Sequence, residues 1–165
     1  MKNKSKSVAY CGVLVCAALV LSVVEGFLPA AAIPLPGVKL GLANIVILFT
    51  LYKFSIAPAA AVLFVKCVLS SIFGGGITAL AFSLSGGFLS LIVMWLLKKV
   101  SNRILSVYGV SIGGAAAHGV GQIIASGIML GTTAIVYYLP ALLLSGIFTG
   151  ALTGAIVSLL LKKFN

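Results

Sequence analysis

A chain of 165 residues that is 62% hydrophobic and only 7% charged, with a mean hydropathy of +1.30, cannot stay solvated as a water-soluble domain. Its single acidic residue is Glu25, and the formal charge of +10 gathers at the ends of apolar segments rather than along an aromatic-interleaved stripe. That distribution excludes nucleic acid as the partner and points to a lipid bilayer.

Apolar runs set the elements in chain order, at about residues 8–28, 38–52, 55–73, 77–97, 110–130 and 134–161. A helix needs about 20 residues to cross roughly 30 Å of hydrocarbon, and most of these runs are long enough. The second is short unless the residues just before Leu40 join it. The last is long, and Pro140 in its outer turns predicts a kink. The expected fold is an all-α integral membrane protein, one membrane domain over residues 1–165, with six transmembrane helices.

Charge placement tests that count independently. Lys2, Lys4 and Lys6 precede the first span, while Lys53, then Lys98, Lys99 and Arg103, then Lys162 and Lys163 follow the even-numbered spans. With both termini cytoplasmic, nine of the eleven basic residues face the cytosol of a multi-pass protein in the cell (plasma) membrane. Five or seven spans would scatter them. A cleaved signal peptide is the competing reading of the N-terminus, since Lys2–Lys6, an apolar stretch and "PAAAIP" have its outline. Removing it would spoil the even count.

Two lysines depart from the basic cluster: Lys39 at the outer start of span two and Lys66 within span three. An unpaired lysine in a membrane helix costs about 2.5–3.5 kcal/mol even on the lenient insertion scale. Lys66 can snorkel outward or pair with Glu25, the one carboxylate available, which lies near the outer end of span one. Asn44 falls in the outer half of span two. His118, the only histidine, and Gln122 share one stripe near the middle of span five, in "GVSIGGAAAHGVGQIIASG". These two are either contacts to a solute or hydrogen-bonded ties between helices. Tyr137 and Tyr138 follow span five and fit an interfacial belt or ligand contacts. Above this polar set lies "EGFLPAAAIPLPGVK", a segment stiffened by three prolines, with the shape of a lid over an outward-facing pocket.

Small residues recur at spacing four. Gly146, Gly150 and Gly154 ridge span six; Gly113, Ala117, Gly121 and Ala125 ridge span five; Gly12 and Cys16 form a weaker pair in span one. Such ridges let helix backbones approach closely, within the bundle or against a partner. Cys11, Cys16 and Cys67 all lie in apolar stretches without CxxC spacing and are read as packing residues. One histidine, one glutamate and three dispersed cysteines are too few ligands for a metal, and no cofactor or catalytic constellation is apparent. No GxxxxGK[ST] loop is present for ATP hydrolysis, and without aspartate an ion relay is barely furnished. A carrier of this composition must draw power from another subunit or merely bind.

The stretches "EGFLPAAAIPLPGVKLGLANIVIL" and "GVSIGGAAAHGVGQIIASG", with "SLSGGFLSLIVMW" between them, resemble the Gx transporter family, whose members often carry the label heptaprenyl diphosphate synthase component I. The likeness covers nearly the whole chain. That family is related to the substrate-binding S components of energy-coupling factor (ECF) transporters. The resemblance implies a six-helix subunit that binds a vitamin-like micronutrient near the outer face and docks on a transmembrane T subunit and paired ATPases. Its motif positions map onto Glu25, Pro36, Gly37, Lys39, Leu40, Gly41, Asn44, Lys66, Gly114, His118, Gly121 and Gln122. Gly119 departs from the asparagine that follows the histidine in many members. S components often dock through an AxxxA pair in span one, for which Gly12 and Cys16 are the counterpart here.

The older label meets a physical objection. Prenyl diphosphate synthases hold substrate through Mg²⁺ on aspartate-rich motifs, and this chain has no aspartate. It is therefore expected to be no enzyme. Two expectations remain: an S-component-like subunit using Glu25, Lys39, Asn44, Lys66, His118 and Gln122 to bind a small anionic or polar solute, or an accessory membrane component of heptaprenyl diphosphate or quinone biosynthesis.

Overall fold

The structure, a computed structural model, describes residues 4–27, 41–100 and 106–164, and every regular element within them is helical. In chain order these are α1 (Lys4–Phe27), α2 (Asn44–Lys53), α3 (Ile56–Ser70), α4 (Gly76–Val100), α5 (Val107–Leu130) and α6 (Leu139–Lys163). A π turn, Ser71–Gly75, joins α3 to α4, and a 3₁₀ segment, Thr133–Tyr138, leads into α6. Among the described residues, five stretches are long and apolar enough to cross a bilayer: Val8–Glu25, Ile56–Phe73, Gly76–Val100, Val107–Leu130 and Thr133–Lys163. The ten residues of α2 rise roughly 15 Å, about half the hydrocarbon thickness.

Most element boundaries lie within a few residues of those expected, but α2 begins at Asn44 where a span from 38 is expected, with Gly41, Leu42 and Ala43 outside the helix, and Pro140 calls for a second correction. Pro140 makes no kink: it occupies the first turn of α6. A proline there removes an N–H that no helical carbonyl would accept, so it starts the helix instead of bending it. Lys39 and the proline-bearing segment before Leu40, together with Lys2 and Arg103, lie outside the described residues.

Lysines tie the helix ends together. The Lys53 ammonium donates to the Phe164 carbonyl at 2.6 Å, and the Lys98 ammonium donates to the Leu51 carbonyl at 2.7 Å. Each therefore satisfies a carbonyl at the C-terminal end of a neighbouring helix, where the helix dipole also favours a cation. Lys98 lies over the Tyr52 ring and Lys99 over the Trp95 ring, 4.8 and 3.9 Å from the centroids. Tyr10 of α1 meets Phe54 with ring centroids 6.3 Å apart. The C-terminal ends of α2, α4 and α6 and the N-terminal part of α1 thus share one end of the bundle.

At the centre of the packing is α5, clamped between α4 and α6. A methyl group added at Gly121 would stand 2.8 Å from the Gly86 Cα of α4, and one at Gly114 would stand 2.4 Å from Met94 Cγ. The double GxxxG ridge of α6 closes the other flank. Added methyls at Gly150 and Gly154 would fall 2.8 Å from Ile112 Cα and 2.9 Å from Tyr108 Cα of α5. These ridges hold the bundle itself together. Around α2 and α3, Ile47, Leu48, Leu51, Val62, Leu63 and Cys67 form the apolar core with Leu91, Met94, Val110 and Val157.

Replacing Gly150 by valine should force α6 away from α5 and lower the melting temperature in detergent, with a loss of about 1–3 kcal/mol typical of overpacking. Gly12→Ala should leave it unchanged, because a methyl there meets nothing within 4 Å. Equal melting of Gly150→Val and the unaltered protein would contradict the close α5–α6 crossing.

Candidate functional site

An apolar bundle has few places for polar side chains, and here they converge. Glu25 from α1, Asn44 from α2, Lys66 from α3 and His118 and Gln122 from α5 are all buried. Counted along the helices, they stand roughly 13–22 Å from the lysine-bearing end, around and beyond the middle of a bilayer.

Gly41 is the hub that brings three of them together. Its backbone N–H donates to the Glu25 carboxylate, linking the start of the α2 segment to the far end of α1. Its φ of +87° is a left-handed conformation that favours glycine. A methyl added there would lie 3.0 Å from the Asn44 Nδ2 and 3.4 Å from the His118 ring. Turn bonds from Asn44 N to the Gly41 carbonyl (2.8 Å) and from Ile45 N to the Leu42 carbonyl (3.0 Å) then open α2.

His118 is set from its other side by Gly86 of α4. A methyl at Gly86 would meet the His118 ring at 3.0 Å and its carbonyl oxygen at 2.9 Å, so only glycine lets the imidazole lie against this helix. Lys66, 6% exposed, acts electrostatically on the same imidazole. One turn further along α5, Gln122 is 1% exposed. Both polar atoms of its amide lack a hydrogen-bond partner among the described residues, while the His118 ring rests against the Gly86 backbone. Both side chains border a cavity of ≈ 10 Å³ closed by Leu142, Ser145 and Gly146 of α6, about the least that holds one water molecule. Unsatisfied amide groups at this depth each cost a substantial part of a hydrogen bond, so a polar occupant or rearrangement on binding has something to satisfy.

Of the residues named from sequence, Glu25, Asn44, Lys66 and His118 therefore surround one locus, with Gln122 next to it. Lys39 is outside the described residues. Gly12 and Cys16 lie elsewhere, on an exposed face of α1. Glu25 also has a role not foreseen, as acceptor for a backbone N–H. Gly86 was missed as well; the "SGG" that interrupts the apolar run of α4 was the available signal. The three cysteines are free, and no group of three or more metal-ligating side chains occurs among the described residues.

Glu25→Ala should destabilise the protein by about 1.5–3 kcal/mol, the worth of a hydrogen bond to a charged acceptor. Glu25→Gln, which keeps an acceptor oxygen, should recover part of that loss in thermal melts in detergent. Wild-type stability in Glu25→Ala would show that the carboxylate does not anchor Gly41.

The family model described as heptaprenyl diphosphate synthase component I matches residues 14–160. No curated protein and no solved structure was found to match the chain. The match reaches all six helices, α1 from residue 14 and α6 up to residue 160, and takes in every described member of the polar cluster. On that coverage the chain belongs to the heptaprenyl diphosphate synthase component I family.

Proposed function

We propose that this protein is the membrane-embedded solute-binding subunit of an energy-coupling-factor-type importer, with no enzymatic activity of its own. The observation that carries the proposal is the gathering of Glu25, Gly41, Asn44, Lys66 and His118, from four separate elements, inside an otherwise apolar bundle. Ionisable groups at membrane depth are costly, and a set of them facing one locus is the usual mark of a solute path. In this reading Lys66 and Lys39 supply positive charge to a small anionic or polar solute. Asn44, His118 and Gln122 orient it, and Glu25 holds the backbone that shapes the site.

In this reading the chain crosses the cell membrane six times, and its lysine-bearing end faces the cytosol as the positive-inside rule requires. The site then faces outward. A T subunit and ATPase subunits supply the energy that this chain has no nucleotide-binding loop to provide, docking on the open face of α1 that carries Gly12 and Cys16. The family description favours a second reading: an accessory membrane component of heptaprenyl diphosphate synthesis. Lacking aspartate, the chain would serve there beside a separate catalytic subunit.

Native mass spectrometry of protein extracted gently from its own membrane should reveal one co-purifying small molecule. That molecule should raise the melting temperature of the unaltered protein. Lys66→Met should fold and lose both the molecule and the shift. Undiminished solute retention by folded Lys66→Met would overturn the assigned role of Lys66. Co-purification with a soluble prenyltransferase, in place of ATPases and a T subunit, would overturn the importer reading.

A further inference from the structure

Between α1, α2 and the C-terminal end of α6 lies a groove of ≈ 640 Å³. That volume is in the range of sites that hold discrete small molecules. Its walls are apolar, with Val13 and Ala17 of α1, Ile45 and Phe49 of α2 and Leu160 of α6 among them, and one lysine, Lys53, at its end. The same end is framed by aromatic rings: Tyr10 against Phe54, and Phe49 edge-on to Phe164 with centroids 6.2 Å apart.

Charge complementarity says what covers this groove. Lys53 uses one N–H on the Phe164 carbonyl, which leaves two donors of the ammonium for another acceptor. Lys162 and Lys163, both exposed in the last turn of α6 and close in sequence to Phe164, put two more cations at this end of the bundle. The chain's only acidic side chain, Glu25, stands fifteen residues along α1 from Tyr10, roughly 22 Å away. One ammonium group lining an apolar cleft, with two more at the same end of the bundle, no acidic side chain near them and aromatic rings alongside, matches an anionic head joined to a hydrocarbon chain.

We propose that this groove is a specific site for one anionic phospholipid of the leaflet at the lysine-bearing end. One acyl chain lies between α1 and α6 over α2, and the phosphate rests against Lys53, Lys162 and Lys163. The site is independent of the polar cluster and uses none of its residues.

The test is native mass spectrometry of the full chain released from vesicles of equal parts phosphatidylglycerol and phosphatidylcholine. The unaltered protein should retain one phosphatidylglycerol, at least fivefold over phosphatidylcholine. The Lys53→Gln, Lys162→Gln, Lys163→Gln triple variant should bring that ratio to near parity. Ala17→Trp should fill the groove and lose the lipid; Val13→Trp, at the exposed rim, serves the same purpose if Ala17→Trp does not fold. Melting temperatures identify the folded variants. Equal retention of the two lipids by the unaltered protein, or full phosphatidylglycerol retention by a folded groove-filling variant, would overturn the site. So would a dimer disrupted by groove filling, or an isoprenoid diphosphate that displaces the phospholipid when added in equimolar amount.

Discussion

The structure depends on how closely α5 can be approached from both sides. In a bilayer the lipid tails are as apolar as the helix surfaces, so burial alone does not drive helices together; contact area and backbone proximity must. Gly114 and Gly121 let α4 reach one flank of α5, while Gly150 and Gly154 of α6 let it reach the other. A side chain at Gly121 or Gly150 would collide with backbone, which cannot rotate away as a flexible side chain can. The clamp consequently fixes the rotation of α5 about its own axis. His118 and Gln122 point inward because that rotation leaves them no lipid-facing alternative.

From that rotation follows the placement of the polar locus. His118 rests on Gly86 of α4 and faces Gly41 and Asn44 at the start of α2, so the glycines that allow packing also make room for an imidazole. Glu25 completes the arrangement by accepting the Gly41 N–H. Such a bond matters more here than at a protein surface, since no water competes for the donor within hydrocarbon. The shortness of α2 belongs to the same design. By starting at Asn44 it leaves Gly41, Leu42 and Ala43 as non-helical backbone inside an apolar bundle, which in hydrocarbon is tolerated only beside protein groups or a lined cavity.

The helices were largely legible in the sequence because hydrocarbon imposes a length and a composition on whatever crosses it. Even the truncated α2 was visible as the shortest apolar run. Pro140 was misread because a proline near a helix start and one within a helix differ only in where the hydrogen-bond ladder begins, and the 3₁₀ segment Thr133–Tyr138 moved that point. At the polar site, Lys66, His118, Gln122 and Asn44 stood out as residue types that are expensive in lipid. Gly86 did not: a glycine in an apolar helix signals close approach without saying to what. The contact of Glu25 was hidden for a related reason. The group in that contact, the Gly41 N–H, is one that every residue but proline carries, so side-chain charge gives no sign of it.

The lysines show how one residue can satisfy two demands that sequence and structure reveal separately. In the sequence, Lys53, Lys98 and Lys162–Lys163 mark the ends of alternate apolar runs. In the structure, Lys53 and Lys98 cross to neighbouring helices and donate to C-terminal carbonyls. Those carbonyls are the acceptors that a helix leaves unsatisfied, and near the edge of a bilayer they compete poorly for water. A long aliphatic stem suits both roles, since it passes over apolar surface while the ammonium stays at the boundary. The basic face is thus more than a label for orientation: it closes the ends of α2 and α6 and pins their separation. Because α1 approaches this end through the Tyr10–Phe54 contact, that separation leaves the cleft between α1 and α6 open.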